Sequence, residues 1–157
     1  MQVSPSDRFT VSAVLLRKPS SHRWLKASWQ LLGFVPGLAQ DELQQVAGQG
    51  ELIYLTDLEF RLHKEFCDAY YHNLMSPQPK GYLICSEEGD NLAPMRATVD
   101  FDEAASFMET DEVVFDAPLA DALCVWLEHF VVAHYKPAPP KKRKRRKWHD
   151  AEKGDAK

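Results

Sequence analysis

The chain has 157 residues, of which 45% are hydrophobic, and its formal net charge is -4. That size and apolar content predict one hydrophobic core, which makes a second domain unnecessary. No apolar run approaches the roughly 18 residues of a membrane-spanning helix, and the N-terminal segment does not resemble a secretory signal. We therefore expect a cytoplasmic protein with a flexible segment at 1–8, a single domain at 9–135 and a tail at 136–157.

The charges are divided unevenly along the chain. Residues 136–157 contain ten Lys or Arg and three Asp or Glu, whereas residues 1–135 contain nine basic and twenty acidic residues. Seven of the tail cations are consecutive: Lys141, Lys142, Arg143, Lys144, Arg145, Arg146 and Lys147. Like charges at this density repel one another, so we expect the tail to be disordered by itself and to attract phosphates or acidic protein.

The first half of the chain has the two-residue hydrophobic period that is typical of half-buried strands. Strands are predicted at 9–15, 24–35 and 52–62. Asp41 is positioned to cap one short helical turn between the second and third of them. The third strand changes phase near Thr56 and Asp57, which predicts either two short strands or one strand with a bulge.

The period becomes helical over Lys64–Met75, where Phe66, Tyr70 and Leu74 recur every four residues on one face. Three more strands are predicted at 81–86, 95–99 and 113–115, with a short helix capped by Asp102 before the last of them.

A long apolar helix is predicted at Pro118–Tyr135, with Asp116 as its cap. Its apolar stripe is so wide that we expect the helix to be largely buried, closing one side of a sheet. The predicted fold is therefore α+β. It is a curved antiparallel sheet or partly open barrel of about six strands, with one medium helix, a closing C-terminal helix and a disordered basic tail.

Metal binding and nucleotide binding are not predicted. His63 and His72 are nine residues apart and His129 and His134 are five apart, so neither pair places two imidazoles on one helical face. The sequence also lacks a Gly-rich phosphate loop. We therefore expect no metal and no cofactor.

The three cysteines, Cys67, Cys85 and Cys124, are odd in number and lie in apolar sequence, which favours reduced, buried thiols over disulfides. Cys67 follows His63 by four residues, so on a continuous helix the two would be neighbours. Apolar packing is the commoner role for such a cysteine. Glu59, Arg61 and His63 alternate on the solvent side of a strand, where they form either a polar binding ridge or a solvated face with weak ion pairs.

Several short motifs in this sequence resemble those of the bacterial family DUF3305, and they occur in the same order. They are Trp24, Trp29, Leu62-His63, Ala69-Tyr70, Asn73-Leu74, Pro79, Tyr82-Leu83-Ile84, Trp126, Phe130-Val131, His134 and the Lys/Arg tail. The family is typically encoded beside formate dehydrogenase genes, which implies a maturation or accessory role for a molybdenum-cofactor enzyme. Some members are labelled molybdopterin-guanine dinucleotide biosynthesis proteins. This chain lacks the Gly-rich, Arg-containing N-terminal loop that such a nucleotidyltransferase would need.

Among the shared residues, those at apolar helical positions are expected to be core, and the polar ones at element ends are candidates for a docking surface. That candidate surface consists of Trp24, Arg61, His63, His72, Asn73 and His134. We expect a non-catalytic accessory protein that binds a formate dehydrogenase component or another accessory protein. Two alternatives stay open: a nucleic-acid-associated protein acting through the basic tail and Trp148, and a cofactor-maturation enzyme with a pocket around Arg61, His63 and Asn73.

Overall fold

The computed structural model describes residues 6–46 and 48–136. Its strands are β1 (Arg8–Lys18), β2 (Ser28–Val35), β3 (Glu51–Arg61), β4 (Lys80–Glu88), β5 (Asn91–Thr98) and β6 (Val113–Pro118). Its α-helices are α1 (Gln40–Val46), α2 (Cys67–Met75), α3 (Phe101–Met108) and α4 (Asp121–His134), and a 3-10 turn at Lys64–Phe66 precedes α2. Within these ranges, none of the helices is long and apolar enough to cross a membrane.

The strands form two antiparallel three-stranded sheets, with the orders β2-β1-β3 and β5-β4-β6. The predicted α+β class with six antiparallel strands is confirmed. The prediction of one curved sheet or barrel is wrong, since the described residues form two sheets. They also form four α-helices, where the predicted fold names one medium helix and one closing helix besides the two short helical segments. β2 lies beside β6, and β3 lies beside β5; we call these two contacts between the sheets the seams. In the part of the chain that the structure describes, these two seams have no shared ladder of backbone hydrogen bonds.

The phase change predicted in the third strand is a β-bulge. Val11 and Ala13 of β1 are two residues apart, but their partners on β3 are three apart, so Thr56 and Asp57 lie opposite the single residue Ser12. Asp57 has a φ of 61°, a left-handed conformation that Asp tolerates better than most side chains. The bulge moves the apolar side chains of β3 to the other phase without ending the strand.

Two helices begin at other residues than those predicted. Asp100, not Asp102, caps α3, because its Oδ1 accepts hydrogen bonds from the N–H groups of Asp102 (2.9 Å) and Glu103 (3.4 Å). The prediction that α4 begins at Pro118 with Asp116 as its cap is also wrong. β6 pairs with β4 as far as Pro118, and the helix begins at Asp121. Pairing with a distant strand thus overrides a local capping signal.

In the first half of the chain, α1 begins at Gln40, so Asp41 lies in the first helical turn and is not the cap. The predicted second strand begins at Ser28 rather than at Trp24. The four residues before it belong to the β1–β2 turn, where Trp24 projects into solvent.

One core lies between the two sheets and the helices α2 and α4. The α4 side chains in it are Leu123, Trp126, Leu127, Phe130 and Val131. Val125 and Val132 on the opposite side are exposed. The helix is therefore buried on one face only, which corrects the expectation that it is largely buried.

Gly37 lets the turn after β2 lie against the beginning of α4. Its φ is +124°, a conformation that L side chains rarely adopt, and a Cβ atom at this position would overlap the Cβ of Ala120. A residue without a side chain is therefore required here for two reasons, backbone conformation and close packing.

Candidate docking sites

The structure distributes the six predicted docking residues over three places. His63 and His134 line one depression of about 640 Å³ with Phe130, and Arg61 lies at the end of β3 beside it. His72 and Asn73 line a separate groove. Trp24 lies beyond the last residue of β1. Arg61, in contrast, pairs with Arg8, the first residue of β1. An 11-residue strand spans about 35 Å, so Trp24 and Arg61 belong to opposite ends of the sheet.

The hairpin tip, residues 20–26 between β1 and β2, is an ordered turn. The Ser20 hydroxyl donates a hydrogen bond to the His22 carbonyl (3.1 Å) and accepts one from the His22 N–H (3.1 Å). The Leu25 N–H donates to the His22 carbonyl at 3.0 Å, which closes a β-turn with Arg23 and Trp24 at its corners. On this turn, Trp24 is 83% exposed and its neighbour Leu25 is 65% exposed.

The same tip is the basic end of an acidic body. Residues 9–40 contain four Lys or Arg, all near this tip, and no Asp or Glu; the four are Arg17, Lys18, Arg23 and Lys26. The Arg23 guanidinium lies 5.0 Å from the centroid of the Trp24 ring, within the range of a cation–π contact. Lys26 Nζ lies 3.4 Å from a carboxylate oxygen of Glu87, which attaches the tip to the end of β4. An exposed tryptophan with arginine beside it has the composition of a binding hot spot.

The second place, which we name the α2–α3 groove, has a volume of about 590 Å³. One wall is α2 with the turn that follows it, and the other is the start of α3. Its lining residues are Asp68, Ala69, His72, Asn73, Ser76, Pro77, Gln78, Lys80, Tyr82, Phe101 and Asp102.

Asn73 is half-buried in this groove, and its side-chain amide binds backbone. Its Nδ2 donates to the carbonyls of Lys80 (2.8 Å) and Val99 (2.9 Å), and its Oδ1 accepts from the Lys80 N–H (2.9 Å). Asn73 therefore joins α2 to β4 and to the segment between β5 and α3. Asn73 was predicted to belong to a docking surface, whereas its side chain binds the carbonyls of Lys80, across a turn, and of Val99, which is distant in the chain.

The polar residues expected around an enzyme pocket do not converge. Arg61 Nε binds the Glu59 carboxylate at 2.7 Å, whereas Asn73 binds the backbone of Lys80 and Val99. His63 precedes the 3-10 turn in an extended conformation. His63 and Cys67 are therefore not separated by one turn of a continuous α-helix, which was the condition for making them neighbours.

The thiols and Tyr70 are held in their neutral forms. Burial raises the pKa of Cys85 to about 11, and it also raises the pKa of Cys67. Burial likewise raises the pKa of Tyr70 to about 12, although its hydroxyl oxygen accepts a hydrogen bond from the His63 N–H at 3.0 Å. Since a thiolate is the nucleophilic form of cysteine, burial makes Cys67 and Cys85 poor nucleophiles at neutral pH.

The free energy of unfolding is expected to fall as the pH rises from about 9 to 12. Tyr70 and Cys85 have pKa values of 10 and 9 in the unfolded chain, and burial raises them to about 12 and about 11 in the folded protein. The stabilisation that each group gives to the folded state is therefore fully present below pH 9. It is lost as the pH rises through the folded-state pKa, and the complete loss is about 2 to 3 kcal/mol for each group. Urea unfolding at about pH 8 and pH 11 measures most of the loss from Cys85 and about half of the loss from Tyr70. Tyr70→Phe should lose less than the unaltered chain, and an equal loss would contradict the assignment to Tyr70.

Within residues 6–46 and 48–136, no three His, Cys, Asp or Glu side chains lie close enough together to hold a metal ion. All three cysteines are free; Cys67 and Cys85 are buried and Cys124 is half-buried. The cationic run 141–147 lies outside the described residues, and its role stays a prediction.

Comparison with known proteins identifies the family of this chain. No curated protein and no solved structure matches the chain. A family model described as "Protein of unknown function (DUF3305)" matches residues 10–146, which is most of the chain. The protein therefore belongs to the DUF3305 family.

Proposed function

We propose that this protein is a non-catalytic accessory protein that docks on a protein partner through its hairpin tip. The observation that carries the proposal is the exposed Trp24–Leu25 pair on an ordered turn. A tryptophan side chain buries about 150 to 250 Å² when it is covered, and hot spots are enriched in Trp and Arg. Burying Trp24 and Leu25 against a partner would remove this apolar surface from water, and that gain would drive docking.

The charge of the tip defines the chemistry of the partner. Arg17 and Lys26 at this end of the sheet are paired with Glu51 and Glu87. Among the described residues, Lys18 and Arg23 have no carboxylate within 4.0 Å, so a surface with acidic residues around an apolar pocket would complement the tip. We propose that the partner is a component of a molybdenum-dependent formate dehydrogenase, or another protein of its maturation or assembly. This link rests on the genes that typically neighbour those of the family.

The chemistry of the polar groups supports a binding role rather than catalysis. The Asn73 amide and the Tyr70 hydroxyl are engaged with backbone, and burial keeps Cys67 and Cys85 neutral. A nucleic-acid-associated role through Lys141 to Lys147 and Trp148 is a second candidate, favoured by the density of cations in that run.

Trp24→Ala is expected to reduce recovery of the partner at least tenfold in a pull-down, because truncating a hot-spot residue weakens binding by about 2 kcal/mol or more. The experiment uses the tagged full chain, a lysate with and without nuclease treatment, and mass spectrometry of the retained proteins. Val132→Ala is the matched control, since Val132 is also apolar and exposed but lies on α4. Both substitutions are at exposed positions and should leave the fold intact.

The proposal predicts that a formate dehydrogenase component or accessory protein is retained by the unaltered chain and by Val132→Ala. Equal retention by Trp24→Ala would overturn docking through the tip. Retained proteins that disappear after nuclease treatment would favour the nucleic-acid candidate instead.

A further inference from the structure

We propose that the α2–α3 groove binds the protein's own basic segment, Lys141 to Lys147. This inference is independent of the proposed function, because the hairpin tip and the groove use different residues. Three properties of the described residues support it: the place where the chain leaves α4, the charge of the groove and the composition of its walls.

The chain leaves the fold beside the groove. Tyr135, one residue after α4, stacks on Tyr71 of α2 with ring centroids 4.8 Å apart and planes 9° from parallel. Its hydroxyl donates a hydrogen bond to Asp68 Oδ1 at 3.2 Å. Asp68 also lines the groove. Lys136, the last residue that the structure describes, also lines a depression with Asp68, so the described chain ends next to one end of the groove.

The groove carries more negative than positive charge: two carboxylates and one ammonium group line it, and His72 Nε2 lies 3.4 Å from Asp68 Oδ2. Asp68 and Asp102 line it, and the buried carboxylate of Asp100 lies under the first turn of α3. The cation in the lining, Lys80, lies 3.7 Å from Asp116, which leaves that pair neutral. Among the residues that the structure describes, Asp102 has no cation within 4.0 Å. A run of seven cations is complementary to this charge.

The walls of the groove suit arginine and proline side chains. Phe101 is 53% exposed at the groove, and its ring lies edge-on to Tyr82 at a centroid distance of 6.0 Å. A guanidinium can stack on such an aromatic face while it binds a carboxylate. The run 141–147 contains three arginines, and two prolines directly precede it.

The length of the spacer matches the length of the groove. Pro137 to Pro140 form a proline-rich spacer, for which an extended conformation advances about 3.1 Å per residue, or about 12 Å in all. The α2 wall from Asp68 to Ser76 covers eight helical steps of about 1.5 Å, which is also about 12 Å. A spacer of this length would let the first cations of the run reach any part of the groove, from Asp68 to the part farthest from Tyr135. So short a tether gives an effective concentration in the millimolar range, which favours the same chain over a second copy.

Paramagnetic broadening in the full chain tests the contact. A nitroxide label is placed on Ala151→Cys in a Cys124→Ser background, where the remaining thiols, Cys67 and Cys85, are buried. At low salt, we expect the amide signals of Ser76 and Gln78 to be broadened at least twice as strongly as that of Gly48. Raising the salt concentration should remove the difference, because the contact is electrostatic.

Charge reversal identifies the groove as the binding site. The double variant Asp68→Lys/Asp102→Lys should lose the extra broadening. Asp41→Lys/Asp90→Lys, which changes the net charge equally at exposed positions elsewhere, should keep it. The dispersion of the amide signals reports whether each variant is folded.

Three results would overturn the proposal. Groove amides that are broadened no more than Gly48 would mean that the segment does not bind there. Equal loss in both double variants would mean general attraction to an acidic body. In a mixture, the nitroxide can be on one molecule and the isotope enrichment on another. If the groove amides were broadened as strongly there as in the singly labelled chain, the segment would bind a second copy.

Discussion

Replacing Gly37 by alanine is expected to lower the free energy of unfolding by about 3 kcal/mol or more. The new side chain would require a φ of +124° and would overlap the Cβ of Ala120 at the start of α4. Backbone strain of this kind costs about 1 to 3 kcal/mol, and overpacking costs a further ~1 to 3 kcal/mol. Urea unfolding followed by circular dichroism measures the change.

Two controls separate the strain from the overlap. Gly48 also has a positive φ, +94°, but a Cβ there would have no atom within 4 Å. Gly48→Ala therefore measures backbone strain without overlap. Adding Ala120→Gly to Gly37→Ala removes the overlap and should restore part of the lost stability. If Gly37→Ala lost no more than Gly48→Ala, the packing explanation would be wrong.

Asn73→Asp is expected to lower the free energy of unfolding by about 2 to 4 kcal/mol at neutral pH. The carboxylate can still accept a hydrogen bond from the Lys80 N–H, but it cannot donate to the carbonyls of Lys80 and Val99. Each carbonyl left without its donor costs about 1 kcal/mol or more, and a negative charge facing them adds to the loss. The same urea experiment measures this variant.

Asn91→Asp is the matched control, because Asn91 is exposed at the start of β5 and the chemical change is identical. Acid should reduce the deficit of Asn73→Asp, since a protonated carboxyl can donate to one of the two carbonyls. That group would have a raised pKa in the folded state, so its stabilising contribution is present at low pH and lost as the pH rises. Equal stability of the two variants at neutral pH would contradict the assigned role of Asn73.

The local parts of the fold could be predicted from the sequence. The bulge at Thr56 and Asp57 follows from a phase change that any strand with one buried face must accommodate. The starts of α3 and α4 could not be predicted, because several acidic residues near each start could act as caps. For α4, pairing between β6 and β4 sets where the helix can begin. It extends beyond the β4–β6 ladder, because the Leu119 N–H donates to the Pro79 carbonyl at 2.8 Å.

The sequence predicted individual candidate residues, but it did not predict which of them lie together in the structure. His63, His72, Asn73 and Trp24 were selected as polar or aromatic residues that packing explains poorly. Which of them share a surface depends on the direction of each strand, which sequence spacing does not give. Asn73 in particular binds a carbonyl of Val99, a residue 26 positions later in the chain. No local pattern identifies such a partner.

Each sheet is built from one continuous stretch of chain, residues 8–61 for the first and 80–118 for the second. Each can therefore assemble from hairpins and nearby strands without waiting for the other, since contacts that are close in sequence form fastest. The seams between β2 and β6 and between β3 and β5 need contacts across the whole chain. The meeting of two preassembled halves is thus the step that we expect to limit folding, with α2 as the segment that connects them.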